Sequence, residues 1–246
     1  MSRSAACVLR IVAPAFLAGA LGGSCLAETT PASEAVVAQC ARLFSPAAAL
    51  QDSLDAVPGL TRLPMDSFAP AGEHGRALRV ALAYNAALEG IIGSDLIAPV
   101  DQLQRALAMI EADTPWLHSL PGEGSGVAAY ADDAGTLFVV ERAVTTGRQG
   151  RQTVRCLFIA PAGAAPPTPG LPDTLVVTGT PSISSRGFSV SAFQGQIPYD
   201  GASQPDASAG FSMVTMPVPP GTPISDFAEI GGVTIFRQST SNRSSE

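Results

Sequence analysis

The stretch TVRCLFIAP, residues 153–161, decides how this chain folds. It is rich in β-branched and aromatic residues, bounded by polar and proline-bearing sequence, and reads as a buried strand. Every second residue of a strand shares a face, so Val154, Cys156 and Phe158 form one apolar side. A cysteine in that position is an inert core residue, a reactive thiol, a metal ligand or half of a disulfide. Each alternative says something different about where the protein lives and what holds it together.

Upstream, GVAAYA (126–131) and TLFVVERAVTT (136–146) have the same extended character. The connections DDAG (132–135) and TGRQGR (146–151) are polar, contain glycine and have hairpin length. Three strands joined by short turns predict an antiparallel meander. Before them the periodicity is helical. TTPASEAVVAQCARLFSP (29–46) has Thr30 to cap a helix, Pro31 for its first turn and Pro46 beyond its end. Val36, Val37, Cys40 and Phe44 fall on one face of it. A second helix is expected from Arg76 to about Ile92. A third, in APVDQLQRALAMIEADTP (98–115), carries the stripe Val100, Leu103, Leu107 and Ile110. Residues 48–75 read as a long connection with at most one short helix.

Downstream, APAGAAPPTPGLPDT (160–174) has the composition of an extended connector or domain boundary. TLVVTGT, GFSVSAFQ, GFSMVTMPV and GGVTIFRQ follow as short strands. The expected fold is therefore α+β: N-terminal helices packed on an antiparallel three-stranded meander, then a Pro-rich connector and a β-rich C-terminal part. The corresponding division is a signal peptide at 1–27, an α+β domain at 28–160, a connector at 161–173, a β-rich module at 174–238 and a disordered tail at 239–246.

The first 27 residues bear on compartment. Arg3 and Arg10 precede or flank the uncharged run IVAPAFLAGALGG, and Cys25 and Ala27 supply the small residues of a peptidase site. The pattern predicts export with cleavage between Ala27 and Glu28, the bacterial periplasm being the expected compartment. The run is too short to span a membrane as a helix, and no later segment is long and apolar enough. The competing readings are an extracellular protein and a lipid anchor on Cys25, but Gly22 stands where a lipoprotein signal sets leucine.

Cleavage would leave two cysteines, Cys40 and Cys156, and an even count in an oxidising compartment favours a disulfide between them. Only two histidines are present, His74 and His118, neither at metal-ligand spacing from a cysteine. No metal and no cofactor is expected. Beyond the cleavage point 12 arginines stand against 21 acids, a net charge of −9, and lysine is absent from the whole chain. Schiff-base chemistry, the phosphate-loop lysine and Ser–Lys dyads are thereby excluded. The acidic balance argues against nucleic acid as a partner. With 14% charged and 46% hydrophobic residues the chain has a globular signature.

The candidate sites are sparse. GEGSG (122–126) fits neither a nucleophile elbow nor a dinucleotide loop, because the flanking residues and elements are wrong for both. Asp132 and Asp133 lack the alternation of a calcium loop and read as turn residues. Trp116 reads as an aromatic at the edge of the core. One anomaly is basic: Arg142, Arg148, Arg151 and Arg155 crowd the second hairpin of an acidic protein. With the turn centred between Arg148 and Gln149, Arg142 and Arg155 face one another, which is unfavourable unless carboxylates or an anion intervene. A shift of one residue removes that conflict. These arginines are the candidate contacts for an anionic ligand or an acidic envelope component or protein. The sequence favours an exported, non-catalytic protein with a binding or envelope-accessory role. The alternative is an exported hydrolase-type enzyme with catalytic residues dispersed along the chain, His74 and His118 among them.

Overall fold

The computed structural model describes residues 31–41, 47–69, 71–93, 98–112, 126–145, 151–173, 175–179, 182–185, 187–196, 207–222 and 224–242. In chain order these form α1 (Pro31–Cys40), α2 (Ala47–Asp55), β1 (Leu60–Leu63), a 3-10 turn (Met65–Phe68), α3 (Gly75–Gly93) and α4 (Pro99–Ala112). Then follow β2 (Gly126–Asp132), β3 (Leu137–Thr145), β4 (Arg151–Pro161), β5 (Val176–Gly179), β6 (Ser182–Ser185), β7 (Phe188–Gln196), β8 (Ala207–Pro217), a second 3-10 turn (Ser225–Glu229) and β9 (Ile230–Asn242). The expected signal peptide, Phe44, Trp116, His118, Arg148 and most of GEGSG lie outside the described residues.

All nine strands belong to one antiparallel sheet in the order β1-β2-β3-β4-β9-β8-β7-β5, with β6 also paired to β7. A self-contained three-stranded sheet is not what forms. β2, β3 and β4 are neighbours, but the chain returns and lays β9 along the whole of β4. The strands after the connector thus continue the first sheet instead of building one of their own. β9 also runs to Asn242, into the tail expected to fray, because Ser239, Thr240, Ser241 and Asn242 have backbone partners on β4 or β8.

Helices cover both faces of this sheet, which explains β4. A strand buried on one side alternates apolar and polar residues, whereas one buried on both reads as an unbroken apolar run. Cys156, Leu157, Phe158, Ile159 and Ala160 are all buried. On one face α3 and α4 set Leu78, Tyr84, Leu88 and Leu103 against Val139, Leu157, Ile159 and Val233. On the other, α1 and α2 set Val36, Val37, Leu50 and Leu54 against Tyr130, Phe138, Phe158 and Phe236. Each fully buried side chain of this kind stabilises the fold by about 1.5–3 kcal/mol. The N-terminal helices do not form one layer; the long connection between α1 and α3 carries the chain from one face to the other. It contains α2 and β1, more structure than its prolines suggested. Tyr130 ties the two together, its hydroxyl donating to Asp55 Oδ1 at 2.8 Å while Asp55 Oδ2 accepts from Arg62 at 3.4 Å.

Cys40 and Cys156, 116 positions apart in sequence, are joined in a disulfide with Cα atoms 6.4 Å apart. The bond links the last residue of α1 to the middle of the central strand. Of the four readings open for Cys156, the structural staple is the one found, and it fits an oxidising compartment.

The proline-rich connector is a strap lying on the α1 face. Pro166, Pro167 and Pro169 are buried. Thr234 Oγ1 donates to the Pro167 carbonyl at 2.6 Å, and Leu171 and Leu175 pack into the cluster around the disulfide. Its fit against β9 requires glycine: a Cβ on Gly231 would overlap the carbonyl oxygen of Ala164. Asp132 has the turn role expected of it, its Oδ1 accepting the backbone N–H of Ala134 at 3.0 Å and of Thr136 at 2.8 Å.

Candidate functional site

The sheet carries side chains in rows that run across the strands, and on the α3/α4 face these rows change character abruptly. One row reads Leu63, Ala129, Val139, Leu157, Ile235, Val214 and Ala192 from β1 to β7. It is apolar throughout and forms the floor of the α3/α4 core. The next row on that face reads Glu141, Arg155, Arg237, Ser212 and Gln194 from β3 to β7. The row beyond is Ala143, Thr153, Ser239, Gly210 and Gln196, small and mostly polar. An antiparallel sheet can bury one part of a face and leave another to water, and the boundary here falls between the first two rows. Arg237 and Gln194 are exposed, while Glu141, Arg155, Ser212, Thr153 and Ser239 are half-buried.

Arg155 is the centre of the row. Its β3 partner is Glu141, with which it forms an ion pair whose side chains are 26% and 24% exposed. Its β9 partner is Arg237. Strands in a sheet lie about 4.8 Å apart, so two guanidinium stems rise side by side with one carboxylate at the end of the pair. Arg237 makes no ion pair among the described residues. Like charges opposed on a ladder are destabilising. The arrangement persists because Glu141 neutralises one of them and solvent screens the other.

Of the four arginines singled out by the sequence, Arg142 and Arg155 do not share a face. The register pairs Glu141 with Arg155 and Arg142 with Val154, one residue away from the alignment that set Arg142 against Arg155. Since successive residues point to opposite faces, Arg142 belongs to the α1/α2 face and Arg155 to the α3/α4 face. Arg142 lines a shallow cleft with Leu50, Gln51, Leu54 and Val140, and burial there lowers its pKa. Arg151 pairs in the backbone with Thr145 and Ser241. The residue missed was Arg237. In sequence it sits in GGVTIFRQ, 82 positions after Arg155, and only the return of β9 onto β4 brings the two together.

Elsewhere several titratable groups tie elements of the fold together. His74, at the start of α3, packs its ring on Phe68 with centroids 5.4 Å apart, and its backbone N–H donates to the Ser67 carbonyl at 2.8 Å. Arg76 bridges Asp226 and Glu229, each at 2.8 Å, and fastens α3 to the second 3-10 turn. The Tyr84 hydroxyl donates to the Pro217 carbonyl at 2.6 Å, and burial raises its pKa. Burial, and then the bond to Asp55, raise that of Tyr130. A cleft of about 440 Å³ opens at the far end of β8 and β9, lined by Ala164, Pro217, Pro219, Gly221, Ile230, Gly231 and neighbouring uncharged residues. It offers backbone and small apolar groups, with no titratable side chain in its lining. No described helix is long and apolar enough to cross a membrane. No protein-family model, no curated protein and no solved structure matches this chain.

Proposed function

We propose that the protein is an exported binding protein that holds an anionic ligand on the polar half of its sheet, with Arg237 and Arg155 as the principal contacts. The observation that carries this reading is the cross-strand pairing of the two arginines in an acidic, lysine-free chain. Guanidinium suits anion capture because it is planar, permanently charged and able to grip carboxylate, phosphate or sulfate with two parallel hydrogen bonds. Ser212, Gln194, Thr153 and Ser239 surround the pair with neutral donors and acceptors that do not compete for it. Glu141 holds Arg155 upright and sets a threshold, since a ligand has to outcompete or share that carboxylate. Ligands of this chemistry are the acidic polymers and headgroups of a cell envelope. The disulfide supports export, because it belongs to an oxidising compartment.

The test is retention on a sulfated-polysaccharide column. Wild-type protein is expected to bind at low salt and elute as salt screens the contact. Arg237→Ala is expected to elute at markedly lower salt, and Arg62→Ala, on the sheet edge beside Asp55, to elute with wild type. Flow-through of wild type, or co-elution of Arg237→Ala with it, sinks the reading.

A further inference from the structure

Glycine inside a strand weakens it, and is kept where a bulge, tight packing or the close approach of another group requires a bare backbone. Packing accounts for most strand glycines of this sheet. A Cβ on Gly195 would overlap the Val176 carbonyl oxygen at 2.0 Å, and one on Gly232 would lie 2.7 Å from that of Met216. Gly210, in β8, is different. The nearest atom to a Cβ there would be the Gly195 carbonyl oxygen at 3.6 Å, an ordinary contact, and its backbone is not left-handed. Its pairing with Ser239 of β9 and Gln196 of β7 continues the register of its neighbours, so it is no bulge. Neither the fold nor its neighbours demand a glycine at this position.

Gly210 shares the polar half of the sheet with Ser212. The two stand between Arg237 and Ser239 on β9 and Gln194 and Gln196 on β7. Those walls are two strand spacings, about 10 Å, apart, and the two floor residues cover about 7 Å along the strand. Val214, packed against the α3/α4 core, closes the inner end. Gln194 stands back from the floor, its Nε2 lying where a Cβ on Gly179 would meet it at 3.0 Å. Arg237, Gln194 and Gln196 are exposed, and Gly210 and Ser212 are half-buried. The result is a shallow polar trough with a guanidinium on one side only.

We propose that this trough seats one sugar ring of an acidic carbohydrate, its carboxylate or sulfate held by Arg237; the inference rests on the anion-binding reading above and names the ligand class. Charge complementarity fixes the acid at the β9 wall. The remaining groups are the hydroxyls of Ser212 and Ser239 and the amides of Gln194 and Gln196, which both donate and accept, as sugar hydroxyls do. An acyl chain would find no apolar side chain on this floor, and a bare anion would have no use for Gly210. A flat ring lies against the exposed backbone that the glycine leaves.

Nuclear magnetic resonance titration of the full protein with methyl glucuronide, methyl glucoside and acetate tests this. Methyl glucuronide is expected to bind at least about tenfold tighter than either of the others, because it alone offers both the acid and the ring. Gly210→Val sets a branched side chain on the floor and is expected to cut the preference for glucuronide over acetate about tenfold, until the two bind alike. Ser212→Ala, which removes one hydroxyl, is expected to cut it about threefold. Unchanged far-ultraviolet circular dichroism excludes misfolding as the cause. Glucuronide binding no tighter than acetate, with both dependent on Arg237, overturns the proposal and leaves the anion site standing. A preference untouched by Gly210→Val also overturns it. Binding indifferent to Arg237→Ala removes the anion site and this proposal together.

Discussion

Removing the disulfide by the double substitution Cys40→Ala/Cys156→Ala tests the architecture most severely. The bond spans 116 residues. Closing a loop of that length removes about 16 cal/mol/K from the unfolded chain, which is about 4.9 kcal/mol at 25 °C. Residual structure in the unfolded state lowers the figure, and the loss of buried sulfur, both cysteines being fully enclosed, raises it again. A domain of this size is stable by about 5–15 kcal/mol in all, so the bond accounts for a large share. Urea unfolding followed by tryptophan fluorescence and circular dichroism measures the change. With a slope of about 2–3 kcal/mol/M, the midpoint is expected to fall by about 2 M. The slope itself is expected to rise, because an uncrosslinked chain exposes more surface when unfolded. A midpoint within about 0.3 M of wild type would refute the argument that this link restrains the unfolded chain.

Three further outcomes follow from the same contacts. Glu141→Gln releases Arg155 from its carboxylate, so column retention is expected to strengthen while stability, measured by urea, falls by no more than about 1 kcal/mol. Thr234→Val keeps the shape at the strap but leaves the Pro167 carbonyl without its 2.6 Å donor, and is expected to cost about 1–3 kcal/mol in the same assay. Tyr84 and Tyr130 have pKa values raised by burial, so the folded state keeps its phenolic protons longer than the unfolded chain. Their contribution is complete below the unfolded tyrosine pKa of about 10 and is lost as pH climbs from there toward the folded values. Melting temperature is therefore expected to fall steeply above about pH 10, less steeply in Tyr84→Phe, and the absence of lysine keeps that window free of ammonium titration.

The parts of the fold legible in the sequence were those whose residues answer to local rules. CLFIA announced a buried strand, and Val36, Val37 and Cys40 announced the helix face that meets it. Asp132 and Gly135 announced their turn, with Gly135 at φ 82°. What escaped depends on long-range pairing. β1 is four residues of LTRL between prolines, too short to show a period. The strap and a flexible linker share one composition; the difference lies in Thr234 and Gly231, which meet the strap from more than 60 residues away. The arginine pair is the sharpest case. One strand's register moved Arg142 to the far face, and another strand's return supplied Arg237. A hairpin turn of uncertain length cannot fix the first, and no local pattern encodes the second.

The most direct measurement is a nuclear magnetic resonance titration of the arginine side-chain Nε–H signals with a short sulfated oligosaccharide. The signals of Arg155 and Arg237 are expected to shift together and saturate at one concentration, while that of Arg142, on the opposite face, stays where it is. Movement of Arg142 without Arg237, or no saturable shift in either member of the pair, would contradict it.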